Sequence, residues 1–160
     1  MNEQSTDHAA VRIPPPVLVV LILVVGYLLA QQWPILLGFE IGRPARYWVG
    51  GTIAAGFLLG IGAWADVSFR RTGQDPKPWK TTPEIITGGP YRFSRNPMYL
   101  AMLLVCVGVS IMLWNVWVLI LTPVCAGLLY ATAIRHEESY LENKFGADYL
   151  AYKERVRRWL

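Results

Sequence analysis

The sequence predicts an all-α integral membrane protein, with four transmembrane helices and an amphipathic C-terminal helix on the cytosolic side. Three observations lead there. The 160-residue chain is 54% hydrophobic and only 16% charged, with a mean hydropathy of +0.33, too little charge to clothe a soluble domain of this size. Its apolar residues stand in long blocks rather than in stripes, the pattern of segments dissolved in lipid. Its basic residues cluster where a four-span chain returns to one side of the membrane.

Residues 1–12 are polar and of mixed charge, and no small-residue cleavage site follows the first apolar block. That block, 14–37, is therefore expected to remain as an anchor. Pro14, Pro15 and Pro16 open it, where a missing N–H costs nothing, and Trp33 fits an interfacial aromatic near its far end. A second span is expected over 47–69, where Gly56 and Gly60 form a small-xxx-small face that lets helices approach closely. A polar segment, 70–97, follows, broken by Asp75-Pro76 and Gly88-Gly89-Pro90. Spans over 98–113 and 117–134 are separated only by Trp114-Asn115-Val116, which predicts a tight antiparallel hairpin. Pro123 predicts a kink in the fourth span. From 135 the chain turns charged, and Ile134, Leu141, Phe145 and Tyr149 predict an amphipathic helix over 135–160.

Twelve of the fifteen basic residues fall in the polar segment (Arg70, Arg71, Lys77, Lys80, Arg92, Arg95) or after the fourth span (Arg135, Lys144, Lys153, Arg155, Arg157, Arg158). The positive-inside rule places these, and both termini, in the cytosol. The net charge of +4 is thus a signal of topology and of attraction to anionic lipid headgroups rather than to nucleic acid. Cys106 and Cys125 lie inside apolar blocks and are expected to be small buried hydrophobes. His8 and His136 are too few and too far apart in sequence to suggest a metal centre.

Two polar constellations remain. In Thr87-Gly-Gly-Pro-Tyr-Arg-Phe-Ser-Arg-Asn-Pro-Met-Tyr99, Gly88 and Gly89 let the backbone turn and approach a ligand. Asn96-Pro97 reads as a helix start, Asn as cap and Pro at the first helical position, and its free N–H groups favour an anion. Arg92 and Arg95 suit a carboxylate, while Tyr91 and Tyr99 offer faces to an adenine ring or a sulfonium. The competing reading is a structural loop with headgroup-binding arginines. The second constellation is Arg135-His-Glu-Glu138, whose carboxylates suit ribose hydroxyls, an amino group or a cation. Its competing reading is a solvated helix start with acids paired to Arg135 or Lys144.

Taken together, Gly89-Pro-Tyr91, Arg95-Asn-Pro-Met-Tyr99, the hairpin, Glu137-Glu138 and Phe145-Gly-Ala-Asp-Tyr149-Leu-Ala-Tyr152 resemble the C-terminal half of the isoprenylcysteine carboxyl methyltransferase and phospholipid methyltransferase families. The resemblance covers about residues 83–158. It implies S-adenosyl-L-methionine as methyl donor, S-adenosyl-L-homocysteine as product and a lipophilic acceptor from the bilayer. By that resemblance Tyr91, Asn96, Pro97, Met98, Tyr99, Glu137 and Glu138 hold the donor, with the backbone near Ile85 and Ile86. Arg95 and Glu137 are the candidate catalytic residues, and Arg135 is a candidate to orient the acceptor. Asn96 stands where the family has His; Asn still hydrogen-bonds but does not titrate near neutral pH. Two other classes stay open: a membrane reductase using NADPH, and a non-enzymatic four-helix membrane module.

Overall fold

In the computed structural model, residues 13–39, 41–73 and 83–160 are described, and every regular element among them is helical. His8, Asp75-Pro76, Lys77 and Lys80 lie outside the described residues. Helix α1 spans Pro15–Gln32, with Pro15 and Pro16 in its first turn as the sequence leads one to expect. Helix α2 runs Arg43–Arg71 with a π turn at Leu58–Gly62. Helix α3 is Pro97–Leu113. Helix α4 runs Val116–Phe145, with Pro123 inside it and a π turn at Tyr130–Ile134. Helix α5 is Ala147–Arg155. Three of these, α1, α2 and α4, are long and apolar enough to cross a membrane, and α3 is a shorter apolar helix of 17 residues.

The connection between α3 and α4 is as short as the sequence predicts. Trp114 closes α3 in the left-handed region, with φ of 53°. Asn115 then caps α4, its side chain accepting from the Val118 N–H at 3.3 Å, which satisfies one of the free donors of a helix start. The same amide donates to the Gly26 carbonyl at 3.1 Å and so ties α1 to the hairpin. Beside it the Trp117 indole donates to the Trp33 carbonyl at 2.6 Å. The end of α1 thus meets the start of α4, and the two run antiparallel.

Close helix contact is made by glycines other than the pair singled out from sequence. A Cβ on Gly56 or Gly60 would meet nothing within 4 Å; that face is open. Gly50 and Gly108 make the contact instead. A Cβ on Gly50 would sit 2.4 Å from the Met112 backbone nitrogen, and one on Gly108 2.6 Å from that of Ala54. The spacing rule is sound, since Gly50 and Ala54 are also four apart, but glycine density alone did not say which face meets α3. Further along, Gly62 lies against Ala101, so α2 and α3 are antiparallel too.

These pairings bring the C-terminal ends of α2 and α4 and the start of α3 to one end of the bundle. At the usual rise, the 29 and 30 residues of α2 and α4 extend about 43 and 45 Å, well beyond a hydrocarbon core of about 30 Å. The apolar run of α4 ends at Ile134, and from Arg135 the helix stands beyond it. Val17, Val20, Leu21 and Val24 of α1, Leu58 and Leu59 of α2, and Leu119, Ile120 and Val124 of α4 are all exposed, an apolar surface that water would not tolerate. The core beneath is Leu18 and Ile22 of α1, Cys106 of α3, and Val118, Cys125 and Leu129 of α4; both cysteines are free and buried.

The C-terminal region is not one helix over 135–160. Its first part, Arg135–Phe145, continues α4. Gly146, at φ of 52°, breaks the rod, α5 follows, and residues 156–160 run on without helix.

Replacing Gly50 or Gly108 by Ala drives a methyl into backbone, where nothing yields cheaply, and should cost about 1–3 kcal/mol. Gly56→Ala, facing open space, should be neutral or slightly stabilising. Thermal unfolding of the three variants in one detergent checks the order.

Candidate functional site

At the charged end of the bundle the turn just before α3 packs against α2. Gly89 is at φ of 59°, and a Cβ there would lie 2.8 Å from the Ser68 hydroxyl of α2. Only glycine serves both conditions. Pro90 then enters a 3₁₀ turn, Gly89–Arg92, which delivers Tyr91 into the interior at 5% exposure. The Tyr91 ring meets Phe69 of α2 edge to face at 5.6 Å, and its carbonyl accepts from the Tyr152 hydroxyl of α5 at 2.7 Å. The Tyr91 hydroxyl is buried with no hydrogen-bond partner among the described residues. Burial, then the charges of Glu137, Tyr152 and Asp66, raise its pKa well above the phenol range, so it stays a neutral donor.

Three residues into α3, Tyr99 is buried and its hydroxyl donates to Glu137 of α4. This contact bridges 38 residues of sequence and spans the top of the hairpin's two arms. Glu137 is half-buried. Loss of hydration lifts its carboxyl to about 7; the hydrogen bond from Tyr99 opposes that rise and the neighbouring Glu138 adds to it.

The adjacent acid has a different life. Glu138 is 8% exposed. Arg158 grips it with two bonds, Nε to one carboxylate oxygen at 3.0 Å and Nη2 to the other at 2.8 Å. Arg95, its own side chain 9% exposed, stands 3.4 Å from the same carboxylate. Two guanidiniums on one carboxylate account for burying that charge. Glu138 is therefore paired to Arg158 and Arg95 where the sequence offered Arg135 or Lys144. Glu138, expected among ligand-holding groups, is committed to the protein itself, while Glu137 takes the hydrogen bond from Tyr99.

Asn96 is also placed otherwise than expected. It occupies the position before α3, and Pro97 is at the first helical position, but the Asn96 side chain makes no cap. Its amide donates instead to the Arg158 carbonyl at 3.2 Å. Ser94 donates to that carbonyl at 3.1 Å, and the Arg95 N–H donates to the Arg157 carbonyl at 2.9 Å. Pro97 is fully buried and Met98 half-buried. Ile85 and Ile86 are half-buried in the irregular stretch before the turn, and Arg92 and Arg135 are exposed.

The structure thus gathers Tyr91, Asn96, Tyr99, Glu137 and Glu138 from three separate segments. It adds Tyr152 and Arg158, which the sequence reading left as part of a pattern or as topology charge. Tyr152 had a signal, since it sits three residues after Tyr149 on one face of α5, and both are buried. Arg158 had none: one of four basic residues at the chain's end, it is marked only by its partner.

Residues 51–148 match the family model for phospholipid methyltransferases. Protein-S-isoprenylcysteine O-methyltransferase B of Arabidopsis thaliana is 36% identical over 73 residues, 46% of this chain and 37% of that protein. Protein-S-isoprenylcysteine O-methyltransferase A of the same plant is 36% identical over 72 residues, 45% of this chain and 36% of that one. An uncharacterized protein of Haemophilus influenzae is 38% identical over 63 residues, 39% of this chain and all of that protein. The chain thus spans little more than a third of the length of the two plant proteins. No solved structure matches it significantly.

A folded carboxyl whose pKa is raised from 4.5 to about 7 binds its proton more tightly than the unfolded chain does. Its contribution to stability is full below pH 4.5 and falls away as pH rises toward 7. Glu137→Gln keeps an acceptor for Tyr99 without the charge. Its melting temperature should exceed that of the parent protein by a few degrees at pH 8, the gap closing by pH 5, as thermal unfolding across that range will record.

Proposed function

Because the chain belongs to the phospholipid methyltransferase family, a family of membrane methyltransferases, we propose that it transfers a methyl group from S-adenosyl-L-methionine to a lipophilic acceptor. The observation that carries this reading is the Tyr99–Glu137 contact between α3 and α4, set beside a buried tyrosine hydroxyl that lacks a partner. Buried polar atoms are normally satisfied, and an orphan beside a half-committed carboxylate is the condition of a site that completes itself with a ligand.

The residues fit that donor. Tyr99 occupies one oxygen of Glu137 and leaves the other for ribose hydroxyls. Tyr91 and Tyr99 bring aromatic rings to the same place, suited to a cationic sulfonium. Pro97, Met98 and the backbone near Ile85 and Ile86 complete the wall, and Asn96 holds it rather than titrating. When bound, the donor supplies an already activated methyl group, so the chain's residues have only to position the partners and exclude water. In the transfer the methyl–sulfur bond breaks as a bond to an acceptor oxygen, nitrogen or sulfur forms. The sulfur keeps the electron pair, and an amine or thiol acceptor also releases a proton. Of the two arginines expected to act on an acidic acceptor, Arg135 is exposed and available to orient it, while Arg95 is engaged with Glu138. The acceptor is a lipid or small hydrophobic molecule reaching the site from the bilayer, since the walls below it are apolar helices.

In this reading the four apolar helices all cross the membrane. The basic end, with both termini and the donor site, faces the cytosol; if the chain is bacterial, the membrane is the inner one.

Calorimetry of S-adenosylhomocysteine with the detergent-purified protein tests the proposal, with NADPH as the parallel titration. Micromolar binding of the first alone is expected, tightening as pH rises through 7 because hydroxyl donors favour the Glu137 carboxylate. Glu137→Ala and Tyr99→Ala should lose that binding while remaining folded. Binding of NADPH in its place would transfer the protein to the reductase class, and full binding by both variants would remove the site.

A further inference from the structure

Resting on that reading of the site, we infer that the C-terminal tail is a working part of it. Asn96 and Arg158 are positioning residues that latch both walls of the donor site to one strand of chain. The backbone of the tail holds the α3 side: the Arg157 and Arg158 carbonyls take hydrogen bonds from the Arg95 N–H, the Ser94 hydroxyl and the Asn96 amide. All three donors lie within five residues before Tyr99. The side chain of the same Arg158 holds the α4 side, gripping Glu138 next to Glu137. One residue therefore reaches both members of the Tyr99–Glu137 contact through their neighbours and touches neither directly.

The tail is itself anchored. Trp159 packs against the hydrophobic core, and the Arg158 guanidinium lies 4.8 Å over the ring of Tyr130 in the π turn of α4. Such a brace suits a site whose walls come from segments about 40 residues apart, because small misplacements of reacting groups are costly. It also explains a polar side chain at position 96 that does not cap its own helix. An amide that donates outward to the tail is worth more here than a cap, because α3 already begins with Pro97 and is fixed by burial.

The test measures S-adenosylhomocysteine affinity and, without ligand, hydrogen exchange of the peptide covering 89–100, in full-length variants. Asn96→Ala and Arg158→Gln should each weaken binding about tenfold or more and speed that exchange. Asn96→His, which restores an N–H donor of similar reach, should recover most of the loss. Gly26→Ala, destabilising at the distant α1–α4 contact, serves as a control for general loss of stability and should leave affinity unchanged. Unaltered affinity and exchange in the first two variants would overturn the latch, as would an equal loss in the control at a matched melting temperature. If the parent protein binds no S-adenosylhomocysteine, the donor reading fails. The exchange data then decide alone: unchanged protection in Asn96→Ala and Arg158→Gln overturns the latch, and lost protection upholds it.

Discussion

A bilayer forbids loose backbone and unpaired polar side chains within its hydrocarbon, and everything distinctive about this chain follows from where that prohibition ends. The spanning parts are helices with apolar faces outward and a thin seam of small residues between them. Any chemistry must be built from what emerges. Two helices overrun the apolar slab, and the protruding turns of α4 carry the acidic pair, Glu137 and Glu138. The turn after α2, the first turns of α3 and the last residues of the chain fill in the rest. The site is thus an assembly of ends, and its cohesion depends on contacts among segments distant in sequence.

Within that assembly, two neighbouring glutamates take opposite parts. Glu138 is surrounded by guanidinium and serves structure; removing one partner of such a buried ion pair typically costs about 3–5 kcal/mol. Glu137 meets one tyrosine, and burial pushes its carboxyl up to about 7. Perturbed groups of this kind gather where a protein meets a ligand. The contrast arises from environment alone, since the two side chains are chemically identical and adjacent.

Much of this was legible in the sequence. Block hydrophobicity gave away the helices, the shortness of Trp114-Asn115-Val116 the hairpin, and Gly88-Gly89 the turn, because each depends on rules that act over a few residues. The acidic pair and Tyr99 were readable as a constellation through resemblance. What escaped was long-range. Gly50 and Gly108 could not be told from Gly56 and Gly60 without knowing which face of α2 meets α3. The bond from Asn96 to the Arg158 carbonyl joins positions 62 apart, and local rules assign that asparagine to capping. Arg158 looked like any other basic residue at a membrane surface. The break at Gly146 is marked by a glycine, yet the amphipathic pattern on either side of it reads as continuous.

The π turn at Tyr130–Ile134 carries a consequence for the acids that follow it. A π turn takes up one residue more than an α turn of the same span, and one residue is about 100° around a helix. Glu137 and Glu138 differ by that same angle. Straightening the bulge into regular helix would swing the downstream rod by roughly one position, moving Glu137 toward the bearing Glu138 now holds and Glu138 on toward that of Ser139. The assignment of one glutamate to the tyrosine and the other to the arginines is therefore a matter of phase, and the phase is set at the end of the apolar run, before either acid is reached.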